Sequence, residues 1–489
     1  MSDYVMIRIL NEVHFRIQCE IDIAYSLQDH FSFYPENYQR MPDFIDGNWD
    51  GKIRLFNPMV PKLYRGLYPQ FKKFCEDRNI KILVQAGDNF VPEPLVTRDE
   101  IVELYKSFKL DFEPHDFQID ATVIALNDRR ATMELPTSSG KSLLLYALIR
   151  YLKDEKIILT VHRINLVRQL YKEFGGYAKN DPSFNATEQC QMITGGESKE
   201  ITKRIVISTY QSIHELPKPW FTQFLVYLGD EAHRYKAKCL TKISDNLVNA
   251  KFRIGVSGSL KDTTANNLVL GGIFGPIQTI VSSQDLMQRQ IISSVKINAI
   301  ILKYGPIDRR HVPKQYRGQM EYITNLPKRN DLISEIACSK SMNSLVIFNE
   351  IDHGQELYRL IQIRAGENRK VYYIDGSISM DRREEIKERL EIEKDSILIA
   401  SYGVFTEGEN IKNLYYLIMA SPCKAEERVI QIIGRIMRKG SATSEVRVDD
   451  IVDDFGTKSK KNYMISQFQN RCAVYDKKGY PYKFHQMSF

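Results

Sequence analysis

The residues of this chain best equipped for chemistry are Lys141, in LPTSSGKS at 135–142, and the acid pair Asp230 and Glu231, in DEAH at 230–233. The lysine loop follows an apolar run, Ala131 to Leu135, and precedes a helical stretch, Leu143 to Tyr151. That is the strand, loop, helix context of a phosphate-binding loop. The loop residues Pro136, Thr137, Ser138, Ser139 and Gly140 would wrap the phosphates, with backbone amides at the helix start holding the oxygens. Lys141 would neutralise the β and γ groups, and Ser142 would ligate Mg²⁺. Leu135 stands where the usual pattern has glycine, which stiffens that corner and leaves the GKS core intact. Asp230 and Glu231 follow the apolar run Phe224 to Leu228 after the single residue Gly229, so both should emerge at a strand's carboxyl end. Asp230 is placed to hold Mg²⁺ and Glu231 to deprotonate the attacking water.

Three further motifs follow in order: SGS at 257–259, ASYGVFTEG at 400–408 and QIIGRIMR at 431–438. Arg435 and Arg438 lie three apart in an apolar helical stretch and so share a helical face. They fit arginine fingers that stabilise charge on a transferring phosphoryl group; the alternative is a solvated helix face. Taken together, the order of the motifs is that of a nucleic-acid-stimulated ATPase motor, with ATP and Mg²⁺ as the implied cofactors.

These residues need a scaffold that presents strand ends side by side. From residue 119 onward, short apolar or β-branched runs alternate with helical stretches, as buried parallel strands and their crossover helices do. In the first half these runs are 157–161, 205–209, 224–228 and 252–257; in the second half they are 345–348, 370–374, 397–401 and 415–420. Both halves therefore read as doubly wound α/β sheets. A break is expected near 282–300, and residues 303–328, with three prolines, read as an irregular excursion. Before residue 90, alternating runs at 5–10 and 13–19, helices at 21–31 and 67–78 and strands at 52–56 and 80–84 indicate a small α+β domain. The expected organisation is a domain at 1–90, a connector at 91–111, nucleotide-binding and second α/β domains at 112–282 and 283–455, and a basic, aromatic extension at 456–489.

With 489 residues, two or three domains are needed, because one hydrophobic core seldom organises so many. Composition, 43% hydrophobic and 26% charged, is that of a soluble globular protein. No apolar run reaches the roughly 20 residues of a membrane helix, and no leader is evident. The expected location is the cytoplasm, with no membrane partner. Seven cysteines, no two closer than 49 positions, give neither a CxxC pair nor a disulfide framework. The net charge of +7 is unevenly spread: residues 1–100 hold 12 Lys plus Arg against 15 Asp plus Glu, whereas 455–489 hold seven basic residues against one acid. The basic tail, with Tyr475, Tyr480, Tyr482 and Phe484, either follows a phosphate backbone or folds onto the core. In the N-terminal domain, Trp49, Lys52, Arg54, Lys72 and Lys73 are candidates for duplex DNA contact, with a turn or core anchor as the alternative for Trp49.

The five motifs resemble those of superfamily two helicases over residues 112–455. GNWDGKIRLF at 47–56, LPTSSGKSL, SGSL and ASYGVF look like the recombination and repair helicases of T-even-type bacteriophages. The resemblance implies two RecA-like domains that close on ATP and act on branched or forked DNA: Holliday junctions, stalled forks and R-loops with their RNA–DNA hybrid. Strand annealing is implied as well, in recombination, repair and replication within the bacterial host cytoplasm. It further implies that Gln118 recognises adenine, that Gly408 lies beside the nucleotide and that Ser257 and Ser259 couple hydrolysis to domain movement. Arg163, Thr209, Gln211, Ser401 and Thr406 would meet the nucleic-acid backbone. Thr209 and Gln211 could instead cap a strand end, and Gln118 could face solvent. The expected state is a monomer. The rival readings are an RNA helicase and an ATP-switched annealing or scaffolding protein.

Overall fold

A computed structural model describes the chain except residues 1–3, 36, 233–236, 259, 261–262, 368, 407–410, 412, 424–425, 438–444 and 457–461, and except the side chains of 237, 266, 307–309, 406 and 427. Packing divides it into two units: Met1–Leu135 with Gly140–Ile280, and Pro136–Ser139 with Val281–Phe489. The fold class read from the sequence, two doubly wound parallel sheets after a small α+β domain, is the one observed.

The first unit begins with strands β1 (Tyr4–Ile9), β2 (His14–Gln18), β3 (Ser32–Phe33), β4 (Ile53–Arg54), β5 (Lys62–Tyr64) and β6 (Lys81–Val84). Four of them form a sheet of order β5-β2-β1-β6, and β3 pairs with β4. The alternation in β1 explains its placement: Val5 and Ile7 are buried, and Tyr4, Met6 and Arg8 face out. Helices Ile21–His30 and Tyr68–Glu76 cover the apolar face through Leu27, Phe71 and Phe74. The run at 52–56 keeps only two strand residues. Lys52 and Arg54 pair with Asp29 and Asp50, Lys72 with Glu76, and the Trp49 indole donates to the Lys52 carbonyl at 2.9 Å. Of the N-terminal DNA-contact candidates, these four are thus engaged within the domain.

This small domain is not a loosely tethered module. Leu268 belongs to its apolar core, with Val248, Ala265 and Val269 packed against it. One Glu12 carboxylate oxygen accepts from both Arg65 and Arg130 at 2.6 Å, and the Tyr64 hydroxyl donates to Asp245 at 3.0 Å. The backbone approach is close enough that a Cβ on Gly66 would overlap the Gly271 carbonyl oxygen. Gly66→Ala is therefore expected to destabilise this unit by about 1–3 kcal/mol, measured by denaturant unfolding; a change below a few tenths would mean the junction yields freely. The expected connector at 91–111 also holds a packed helix, Arg98–Ser107, with Ile101 and Tyr105 buried.

The rest of this unit is built on a seven-stranded parallel sheet of β7 (Arg130–Glu134), β8 (Ile157–Val161), β9 (Cys190–Ile193), β10 (Ile205–Thr209), β11 (Val226–Asp230), β12 (Phe252–Ser257) and β13 (Ile277–Thr279). Their order is β13-β7-β12-β11-β8-β10-β9. Burial on both faces accounts for near-continuous apolar strands such as β8 and β10. Gly229 in β11 pairs with Gly255 in β12, and the Phe274 ring lies over both, where a side chain on either would collide with it. That seat fixes β11 one residue before Asp230.

The second unit carries another parallel seven-stranded sheet: β14 (Ser294–Lys303), β15 (Ser344–Phe348), β16 (Lys370–Ile374), β17 (Ser396–Ser401), β18 (Tyr416–Met419), β19 (Glu445–Asp454) and β20 (Tyr482–Ser488), ordered β16-β17-β15-β18-β19-β14-β20. Three sequence expectations are corrected here. The break near 282–300 contains the start of β14, a ten-residue strand. The excursion at 303–328 is helical, with Pro306–His311 and Tyr316–Thr324 followed by Pro327–Cys338. The extension at 456–489, set apart from the second domain in the sequence reading, supplies helix Tyr463–Lys478 and edge strand β20, paired with β14; of the two readings of its aromatics, folding onto the core holds for Tyr475 and Tyr480. Two buried ion pairs brace the sheet: Arg329 with Asp453 and Arg471 with Asp450, each through two guanidinium nitrogens at 2.8–3.0 Å.

Candidate nucleotide and nucleic-acid site

In the first unit the motif residues converge at the carboxyl ends of β7, β8, β10, β11 and β12. β7 ends in the lysine loop. Gly140 caps helix Lys141–Tyr151 at φ +83°, a left-handed conformation that glycine adopts without strain. A Cβ on Gly140 would overlap Gln118 Nε2, so only glycine lets the loop lie against that side chain. Ser138 is also left-handed, at φ +71°. The Ser139 hydroxyl donates to the Pro136 carbonyl at 2.8 Å, folding the loop on itself, and the Ser142 hydroxyl lies 2.9 Å from that of Tyr177.

Lys141 Nζ donates to the Leu135 carbonyl at 3.4 Å and lies 3.5 Å from Glu231 Oε1. The other Glu231 oxygen accepts the Gly258 N–H at 3.4 Å, which ties the acid pair to the SGS motif. Glu231 has φ +49°, a conformation uncommon for a side-chain-bearing residue and concentrated at functional sites. Asp230 is the last residue of β11, not the first beyond it, and is 8% exposed. Its burial and the Glu231 charge push its carboxyl up to about 7, against the pull of Lys141.

The sign of that shift makes a prediction. Between about pH 4 and 7 the folded chain holds a proton that the unfolded chain has released, so the Asp230 contribution to stability falls as pH rises through that window. The Tm of the ligand-free protein should fall across it more steeply than that of Asp230→Asn. Parallel profiles for the two proteins would show that Asp230 titrates normally.

Mg²⁺ is tested by the donors present. Hard oxygen ligands from one hydroxyl and one carboxylate, completed by substrate phosphates and water, are what Mg²⁺ takes in such sites. Ser142 and the buried Asp230 fit. Among the described residues no cluster of three or more His, Cys, Asp or Glu could hold a metal by itself.

Gln118 is buried rather than solvent-facing; its side chain accepts the His115 N–H at 2.9 Å. Arg163 is the N-cap of helix Ile164–Tyr177, just past β8. The Gln211 side chain donates to the adjoining His162 carbonyl at 3.0 Å, bringing the loops after β8 and β10 together. Thr209 is buried, its hydroxyl 2.7 Å from that of Ser212. Ser257 is buried at the end of β12, its carbonyl accepting the Leu135 N–H at 2.9 Å. In the second unit, Ser401 ends β17 and its hydroxyl accepts the Val404 N–H at 3.4 Å. Arg435 lies in helix Glu426–Ile436 beside buried Gln431. His233, Ser259, Gly408 and Arg438 lie outside the described residues, as does the Thr406 side chain. Tyr177 was not identified from sequence: it follows a Gly-Gly pair at a helix end and carries no motif signal.

A lysine loop after β7 and an acid pair at the end of β11, on either side of β12 in one parallel sheet, with a second such sheet downstream, are the arrangement of a superfamily two helicase. Comparisons name the branch. Residues 5–85 match the family described as DNA helicase UvsW, N-terminal; 100–262 match type III restriction enzyme, res subunit; and 327–440 match helicase conserved C-terminal domain. The chain is 34% identical to the ATP-dependent DNA helicase uvsW of Enterobacteria phage T4, over 94% of this chain and 95% of that one. It is also similar to the crystal structure of T4 UvsW, at TM-score 0.52 and 31% identity over 99% of both chains. Similarity to Saccharomyces cerevisiae Dbp5, at TM-score 0.55, 14% identity, 80% of this chain and 93% of that one, is a likeness of fold. The chain belongs to the UvsW family of ATP-dependent DNA helicases. Among the described residues, no helix is long and apolar enough to cross a membrane.

Proposed function

We propose that this helicase remodels branched DNA, including four-way junctions, stalled forks and R-loops, and anneals strands, in phage recombination, repair and replication within the host cytoplasm. We take it to act as a monomer. The observation that carries the catalytic part is the juxtaposition of Lys141, Glu231 and buried Asp230 at the carboxyl end of the first parallel sheet, beyond β7 and β11. Lys141, held between the Leu135 carbonyl and Glu231, is poised to exchange those partners for the β and γ phosphate oxygens. Glu231 orients and deprotonates the attacking water. Ser142 and Asp230 hold Mg²⁺, which when bound neutralises charge on the phosphates. Gln118, against the loop at Gly140, reads the adenine, and Gly408 lies beside the nucleotide. Arg435 and Arg438 stabilise the transferring group, while Ser257 and Ser259 couple turnover to movement.

Arg163, Thr209, Gln211, Ser401 and Thr406 meet the DNA backbone, so selectivity should follow DNA shape more than base sequence. The test is steady-state ATP hydrolysis with no polymer, single-stranded DNA, a four-way DNA junction and RNA. Stimulation greatest with the junction is expected. Preference for RNA would move the assignment to an RNA helicase, and stimulation by none would favour an annealing protein switched by ATP.

A further inference from the structure

The N-terminal sheet has one covered face and one open face, and the open face is where the sequence's charge balance misleads. Strand register puts Tyr4, Met6 and Arg8 of β1, His14, Arg16 and Gln18 of β2, Lys62 and Tyr64 of β5, and Lys81 and Leu83 of β6 on the side away from the two helices. The His14 and Tyr64 corner is docked against Asp245. Arg8, Lys62 and Lys81 are exposed, and Arg16 is half-buried with Nε lacking a hydrogen-bond partner.

Arg8 pairs in register with Arg16, and Arg16 with Lys62, so three cations stand side by side across three neighbouring strands. At about 4.8 Å between strands the row spans about 10 Å. Like charges directly opposite one another destabilise a sheet. Among the described residues no outward strand position holds a carboxylate; Glu20, Asp88 and Asp245 stand at the margins, and Asp88 is engaged by the Ile9 N–H. The acids behind the domain's negative balance, such as Asp22, Asp29, Asp43, Asp50 and Glu76, lie on its helices and loops. A row of opposed cations that forms no ion pair among the described residues, with Asp245 attracting Lys62 at its docked end, stands beside Tyr4 and Met6 at 49% and 43% exposure and is complementary to a polyanion that also offers flat apolar faces.

We propose that this face binds single-stranded DNA, its phosphates along Arg8, Arg16 and Lys62 and its bases against Tyr4 and Met6. A duplex would turn only sugar and phosphate toward Tyr4 and Met6, and the sheet face presents no helix or ribbon to enter a groove. An unpaired strand supplies phosphates and stackable bases together. Because Glu12, Arg65 and Arg130 fix the domain to the first motor sheet, a strand held here stays in constant relation to that sheet. The inference rests on the chain being a DNA-stimulated motor.

The experiment is fluorescence anisotropy of the full-length protein with labelled oligothymidylate and with blunt duplex, across a salt series, for the unmodified protein, Arg16→Glu and Arg8→Gln. Arg16→Glu replaces two repulsive cross-strand pairs by two attractive ones. It should weaken oligothymidylate binding about tenfold and flatten the log–log salt slope by about 0.7, while Tm holds or rises. Arg8→Gln should show the same directions with smaller size. Affinity for oligothymidylate within twofold of the unmodified protein in both variants would overturn the proposal. So would a Tm that falls in step with affinity, which marks a structural role, or a larger loss on duplex than on single strand. If the unmodified protein's ATP hydrolysis is stimulated by DNA and the variants bind as before, this inference fails alone; absent stimulation, the broader function fails first.

Discussion

Glu231→Gln protein should bind ATP normally yet hydrolyse it about 10²–10⁴-fold more slowly in the presence of DNA, the range that a positioned general base contributes. The substitution is nearly isosteric. The amide can still accept the Gly258 N–H that Glu231 Oε2 takes at 3.4 Å, so the turn after β11 should hold its shape. What is lost is the proton acceptor and the negative partner 3.5 Å from Lys141. Removing that partner leaves Lys141 freer to bind phosphate, so nucleotide affinity should be kept or improved. Single-turnover hydrolysis alongside equilibrium binding of a fluorescent ATP analogue separates the two effects. A fall of less than tenfold with intact binding would mean that another group activates the water.

Asp453→Ala should destabilise the second unit by about 3–5 kcal/mol, the cost of stranding a buried charge. Arg329 is fully buried; it donates to both Asp453 oxygens and to the Ala420 carbonyl, and the Tyr304 hydroxyl donates to the same carboxylate at 2.8 Å. Without Asp453 the guanidinium keeps one of these acceptors and its charge has no counter-ion. Replacing both partners by apolar residues, Arg329→Met with Asp453→Leu, should recover much of the loss, because the desolvation of both ions disappears with them. Denaturant unfolding followed by a probe in the second unit measures this. A single-variant loss under 1 kcal/mol would show that solvent reaches the site.

Both predictions concern residues that the sequence treated very differently. The GKS loop and the DEAH acids were legible because phosphate chemistry ties residue type to local backbone: a glycine in a left-handed cap, then a helix start, with acids at a strand's end. β8, β10 and β12 were legible because strands buried on both faces must be apolar along their length. β19 was not, since DDIVDD looks like an acidic loop; Asp450 and Asp453 can lie in a buried strand only because Arg471 reaches one from the helix that follows and Arg329 reaches the other from a helix 124 residues earlier. The helical content of 303–328 was hidden for a related reason: prolines at 306 and 327 each take the first helical position, where no amide donor is needed, rather than breaking the segment.

Sequence by itself thus determined the chemistry, the fold class and the order of the parts, all of which depend on short-range spacing and periodicity. Tertiary structure alone decided what depends on pairing across the chain. It gave the C-terminal strand a place in the second sheet, wedged the N-terminal domain onto the first through Gly66 and Glu12, and lined up Arg8, Arg16 and Lys62. Charge on a sheet face is set by register between strands far apart in sequence, and a residue count over the same segment averages it away.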